Sequence, residues 1–243
     1  GNSFNGASQL LQADGSGFIA NANLNPTFLD GLNGSTATVR KAASVIVGTS
    51  AAQMVDFIAT PNAAQTAFNN AISSLSVAGG DILVRVGSYT FMGPVSTIPW
   101  NVRLIAESGV IYVSTGGYTV FSVSGTMTGG IVRSINSNPS PFIQLFTSST
   151  LNDIVIDSCI ANTGTGMGII QSTRTSRVTI NRLSITNNIM PSNSWLALFV
   201  SSCTDFKLLG LYGNNNDTGA SFIFRIHAST RTLIADADWT TNV

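Results

Sequence analysis

The amino-acid sequence predicts an all-β fold, a parallel β-helix of stacked coils, closed near its amino-terminal end by one helix and preceded by an extended arm. Three observations carry this prediction. An apolar-x-apolar core recurs at Val102-Arg103-Leu104, Met127-Thr128-Gly129, Ile154-Val155-Ile156, Val178-Thr179-Ile180, Phe206-Lys207-Leu208 and Leu233-Ile234-Ala235, at steps of 25, 27, 24, 28 and 27 residues. Asparagines recur in nearly the same phase at Asn136, Asn162, Asn188 and Asn214, each 26 after the last. Polar turns lie between these points with no second helical pattern, and a period of this length made of short strands is that of one solenoid coil.

The elements follow in order. Residues 1–39 are rich in Gly, Asn and Ser, with apolar islands at Leu10-Leu11, Phe18-Ile19 and Phe28-Leu29. Such islands cannot build a core alone, so the segment reads as an extended arm that docks on the main body, a neighbour or an attachment partner. Residues 40–243 read as the β-helix domain. Ala43 to Val47 opens it as a strand. Asn62 follows Pro61 as a helix cap, and Ala63, Ala64, Ala67, Phe68, Ala71, Ile72 and Leu75 then recur at three and four, placing a capping helix at about 62–75. Gly79-Gly80 ends it, after which Ile82, Val84 and Val86 alternate with polar or outward positions as in a strand. The coils that follow stack about 4.8 Å apart, so that inward Val, Ile and Leu form columns, while stacked asparagines tolerate left-handed turns and hydrogen-bond up the stack.

Composition narrows the function classes. Only 9% of the 243 residues are charged, so Ser, Thr and Asn must cover the surface, which suggests an exported or virion surface. Eleven Lys and Arg balance 11 Asp and Glu, leaving no net field for nucleic acid or anionic lipid. No apolar run approaches the roughly 18 residues that span a bilayer, so membrane insertion is not expected. The chain starts at Gly1 rather than Met, and Val243 closely follows a strand, so a removed leader or an excised fragment is consistent with the sequence.

From Ser44 to Tyr112 the order of elements resembles the opening of the pectate-lyase-like right-handed parallel β-helix superfamily, as in phage tailspikes and appendages. The residues that carry it are Val45-Ile46-Val47, Val55-Asp56-Phe57-Ile58, the helix, Ala78-Gly79-Gly80-Asp81-Ile82-Leu83-Val84, Gly87-Ser88-Tyr89-Thr90-Phe91 and Ile98-Pro99-Trp100-Asn101-Val102-Arg103-Leu104-Ile105. The resemblance implies strand, capping helix, Gly-Gly, strand, a Gly-x-Tyr turn and then the first coil. Members of that superfamily are lyases, glycosidases, epimerases or binding spikes, so it implies no single activity. Its usual acidic helix start is here Thr60-Pro61-Asn62-Ala63-Ala64-Gln65.

The resemblance implies that a lyase would carry an outward carboxylate cluster holding calcium beside a Lys or Arg base. Asp153 and Asp157, read on one strand, would lie about 13 Å apart, too far for one ion. The repeat aligns Asp153, Arg177 and Asp205 in one outward column, which reads first as a self-neutralising charge ladder and second as a catalytic grouping. Asp157 aligns with Asn181 in a polar column. Asp236 and Asp238 alternate on the last strand at about 7 Å, a spacing some glycosidases use, but at the chain end they read first as polar capping of the last coil and second as a catalytic pair. The catalytic candidates are therefore Asp205, Asp236 and Asp238, and the balance leans away from an enzyme.

His227 is the only histidine and reads with Arg225 and Asp217 as an exposed polar turn. Glu107, the only glutamate, reads as a solvated turn residue. Cys159 and Cys203 lie too far apart for a disulfide and read as buried free thiols, and no metal site or cofactor is expected. Aromatic rings point to sugar. Tyr212 follows inward Leu211 and should face outward, and Trp239, 27 residues later, either forms a second platform beside it or closes the core. The nearly continuous apolarity of Trp195 to Val200 reads as a strand buried on both faces, in contact with another subunit. The expected function is that of a virion or cell-surface β-helix contacting polysaccharide or cell-surface glycan, self-associated as a homotrimer. The alternatives are a subunit of an extracellular filament or sheath and a polysaccharide lyase or glycosidase.

Overall fold

One apolar core runs through a stack of short parallel strands. A computed structural model describes residues 43–114, 116–136, 140–161, 168–189, 195–216 and 222–240. All belong to the unit Ala42–Val243, so the predicted arm lies outside them. The chain forms β1 (Ala43–Gly48), β2 (Phe57–Ile58), helix α1 (Ala64–Leu75), β3 (Gly80–Val84), β4 (Ser88–Phe91), β5 (Val102–Ala106), β6 (Ile111–Ser114) and β7 (Phe121–Val123). Next come β8 (Thr126–Thr128), β9 (Ile131–Asn136), β10 (Ile143–Leu145), β11 (Thr150–Asn152), β12 (Val155–Asp157), β13 (Ile160–Ala161) and β14 (Ile170–Thr173). The last are β15 (Ser176–Thr186), β16 (Trp195–Ser201), β17 (Thr204–Asn214), β18 (Phe222–His227) and β19 (Leu233–Thr240). Every pairing among them is parallel, and the five-stranded sheet β7-β10-β14-β16-β18 counts five full three-sided turns of an all-β solenoid.

The columns follow from strand alternation. Ile82, Leu104, Met127, Leu151, Ile180 and Leu208 stack in register and are fully buried. On the third side Phe121, Ile143, Ile170 and Leu198 do the same. Each such Leu or Ile contributes about 1.5–3 kcal/mol through its removal from water. The predicted period is present, but the register differs: Met127 stacks on Leu151 rather than Ile154, and Leu151 on Ile180. The reason is the corner. Gly129, Asp153, Arg182, Gly210 and Asp236 adopt left-handed backbone, which adds one residue between inward positions and breaks simple alternation. Asp153 therefore sits in a corner and not on one strand with Asp157, which lies on β12.

The asparagine stack exists with different members. Asn188, fully buried, accepts from the Cys159 N–H at 2.8 Å and donates to Ile156 O at 3.1 Å and to Asn216 Oδ1 at 2.8 Å. Asn215 donates to Asn187 and Asn181 to Asn152 in two further ladders. Asn214 instead pairs in register with Thr186, and Asn162 lies outside the described residues. These amides satisfy backbone groups that the turns would otherwise strand in the core.

Helix α1 buries Ala64, Ala67, Phe68, Ala71, Ile72 and Leu75 against the first coils. Phe68 meets Tyr89, Phe91, Tyr112 and Phe121 edge-on, with ring centroids 5.6, 5.3, 6.3 and 5.8 Å away. Two local expectations are corrected. Asn62 does not cap the helix: Ala63 holds that position without a side-chain bond, and Asn62 turns the chain at φ 61°. Val86 lies beyond β3, exposed, because the chain leaves the sheet at Arg85, whose guanidinium pairs with Glu107.

Candidate functional site

The outward side of β15, β17 and β19 carries a groove that gathers Tyr212, Asp236 and Asp238 of the sequence-predicted residues. Each strand bends at a left-handed corner, Arg182 at φ 54°, Gly210 at 75° and Asp236 at 56°. Just past the bend Leu183 and Leu211 turn inward and are buried, so alternation sends the next residues out. These are Ser184, Tyr212 and Asp238, stacked in register on successive coils. The result is a groove of about 230 Å³ walled by Arg182, Ser184, Tyr212, Asp236 and Asp238 and floored by Gly210, Leu183 and Leu211. At Gly210 an added Cβ would stand 3.4 Å from Arg182 Cα, an ordinary contact, on a left-handed backbone that side chains rarely adopt.

The charges are unevenly matched. Arg182 is engaged by Asp153, and that guanidinium holds the Asp153 carboxyl below its usual range. Asp236 and Asp238 make no hydrogen bond or ion pair among the described residues. With Arg182 neutralised, the described lining of the groove is net negative, and its aromatic ring among the described residues, Tyr212, is 40% exposed. The arrangement offers hydrogen-bond acceptors beside an apolar ring face.

The other candidates lie elsewhere. Asp205 occupies a different left-handed corner at φ 57°, where Arg231 Nε sits 2.6 Å from its carboxylate. Arg177 stacks beneath Asp205 by register, but Asp153 is bonded to Arg182, so the expected three-member column is not formed. Asp157 aligns with Thr186 rather than Asn181, and its carboxyl accepts from Arg133, Asn187, Ser158 and Thr186. Burial opposes its charge, yet those bonds outweigh burial and hold it below the usual range. Glu107 is not simply solvated, since Arg85 and the Val86 N–H bind it and lower its pKa.

Trp239 pairs in backbone register with Gly213, and the residue opposite Tyr212 is Asp238, so the two aromatic positions are not neighbours in one column. The inward alternation expected from Leu233 also shifts, because Ile234 stacks on buried Leu208 while Leu233 stacks on exposed Lys207. His227 is exposed, and Asp217 lies outside the described residues. Cys159 and Cys203 are buried and free. In Trp195–Ser201, Leu198 and Val200 face the core while Phe199 is half-buried; the side chains of Trp195 to Ala197 lie outside the description. Reading the sequence alone missed Arg182, Ser184 and Gly210 as groove residues, and the one signal for them was Gly210 between two leucines.

Among the described residues no three His, Cys, Asp or Glu converge as metal ligands, and no helix is long and apolar enough to cross a membrane. No protein-family model and no curated protein matches the chain. Among solved structures the chain is similar to a candidate glycosyl hydrolase from Parabacteroides merdae ATCC 43184, with TM-score 0.54 and 13% identity over 82% of this chain and 96% of that one. At that identity the likeness is one of fold: both chains share the parallel β-solenoid path.

Proposed function

We propose that this chain is a glycan-contacting β-solenoid of an exported or virion surface, tailspike-like in role, and that it holds sugar in the Tyr212 groove. The observation that carries the proposal is an exposed ring in one concavity with two carboxylates that have no hydrogen-bond or ion-pair partner among the described residues. A pyranose presents an apolar face to stack on Tyr212 and hydroxyls to donate to Asp236 and Asp238. The groove is smaller than the roughly 300–1,000 Å³ of pockets that enclose drug-sized ligands, so it fits one sugar unit of a longer chain. Its net negative charge favours neutral or amino sugars over uronates. The low charge of the whole chain and the fold shared with a candidate glycosyl hydrolase support the carbohydrate reading.

The test is retention of neutral, amino and acidic polysaccharides by the purified protein and by Tyr212→Ala. Losing one stacked ring costs about 0.5–1.5 kcal/mol, so retention should weaken up to about tenfold. Unaltered retention in the variant, or none by the wild type, would sink the proposal. The two carboxylates also favour a second reading, glycoside hydrolysis. That reading expects polysaccharide shortening that Asp236→Asn and Asp238→Asn each abolish, and cleavage indifferent to both removes it.

A further inference from the structure

The last coil ends on apolar surface that every inner coil buries. Ile234 continues the fully buried column ending at Leu208, yet is 42% exposed, and Phe224 continues the column ending at Leu198 and is 37% exposed. Strand β19 is paired along one edge by β17 and carries no strand on its other edge among the described residues. Such an edge presents a row of main-chain donors and acceptors that an added strand can take up.

The chain holds a segment patterned for that place. Leu29-Asp30-Gly31-Leu32-Asn33-Gly34 repeats the Leu-x-Gly-Leu-x-Gly of Leu208-Leu209-Gly210-Leu211-Tyr212-Gly213, and the pattern occurs nowhere else in the sequence. In β17 each of its positions has a job: Leu208 and Leu211 fill the core, Gly210 makes the left-handed corner, and Gly213 packs inward. Laid on β19 in the same register, Leu29 falls on Ile234, Gly31 on Asp236 and Leu32 on Ala237. Phe28 then falls on Leu233, which is 48% exposed. Asp30 faces Ala235, so no like charges oppose each other.

A chain cannot serve its own edge in this way. From Gly34 to Ala43 is nine residues, which span at most about 32 Å. The face from β1 to β19 stacks β1, β3, β5, β8, β11, β15, β17 and β19, so an added rung lies about 38 Å from β1. We propose that residues 28–34 of one copy add as a further rung to the β19 edge of a second copy. The donor and acceptor surfaces are different, so the contact is heterologous and copies chain head to tail. The proposal is independent of the glycan reading.

The test mixes two single variants of the full chain, Leu32→Cys and Ala237→Cys, under oxidising conditions. Adjacent rungs place the two Cα atoms about 5 Å apart, within the roughly 4.4–6.8 Å that a disulfide spans, and the native thiols Cys159 and Cys203 are buried. A covalent dimer in the mixture and in neither variant alone is expected, together with wild-type mass that rises with concentration by light scattering and stays monomeric in Leu29→Asp/Leu32→Asp. Circular dichroism confirms that each variant is folded. No cross-link in the mixture, a bridge within one chain in the double-cysteine variant, or a mass that ignores the aspartate substitutions overturns the proposal.

Discussion

At its amino-terminal end the solenoid core is shut by helix α1, whose Phe68 ring closes over four aromatic neighbours. At its carboxyl-terminal end the same columns run out at Ile234 and Phe224 with two-fifths of their surface exposed. Both ends are made of the same kind of rung, so the difference comes from what lies across them. A coil of this fold buries its apolar residues only when another layer follows, and the helix is that layer on one side. The helix turns polar Thr66, Asn70 and Ser73 away from the core, which ends the stack, whereas β19 has no strand on its other edge among the described residues.

The largest effect expected from this contrast is at the cap. Phe68 is fully buried, and Phe68→Ala should cost about 3–5 kcal/mol in urea unfolding. Part of that loss is the cavity left among Tyr89, Phe91, Tyr112 and Phe121. A cost under about 1 kcal/mol, within the range of surface substitutions, would mean that the aromatic cluster does not depend on the helix for its cover.

The cap was the most legible part of the sequence because its spacing of three and four is a local signal that tertiary packing leaves intact. Coil register was not legible. Between the inward residues of successive coils the steps run 22, 23, 24, 29, 28 and 26, from Ile82 to Ile234, because loops vary and each left-handed corner inserts a residue. The corner itself has no fixed letter, being Gly129, Asp153, Arg182, Gly210 and Asp236 in turn. Hence outward Tyr212 could be read from Leu211, and Asp236 with Asp238 from their closeness, while a Trp239 platform beside Tyr212 falls one residue out of register. Arg182 was invisible as a groove residue since its partner, Asp153, is 29 positions away.

A smaller effect separates the inner coils from the last one through acid. Asp153 and Asp157 bind arginines on adjacent coils and have pKa values below the usual range, Asp153 through Arg182 and Asp157 through hydrogen bonds that outweigh its burial. A carboxylate with a depressed folded pKa stabilises the fold fully above its unfolded value, about 3.9, and that stabilisation is lost as pH falls through the lower folded value. Melting temperature should therefore hold from pH 7 to 5 on this account and drop below about pH 4. Both arginines are exposed and Asp157 is half-buried, so solvent screens the two pairs and the drop is small. Arg182→Gln should lessen the drop, and a variant that follows the wild-type curve at every pH would remove the Asp153 pair from the account.

The smallest effect is at the open end, and its size is what makes it informative. Leu208 and Ile234 occupy one column on consecutive coils, so they differ in cover more than in kind. Leu208→Ala should cost about 2–5 kcal/mol, as fully buried leucines do. Ile234→Ala should cost less than about 1 kcal/mol, since much of its side chain already meets water. Measured in dilute protein, that ratio tests whether the core fades over a single coil. If a second copy adds its rung to β19, the Ile234→Ala cost must grow with protein concentration, because binding to the folded form stabilises it by mass action. The Leu208→Ala difference between dilute and concentrated protein should grow less, since that residue is covered by its own chain at any concentration. Equal costs for the two substitutions in dilute protein would show that Ile234 is already covered within one chain and would erase the contrast between the ends.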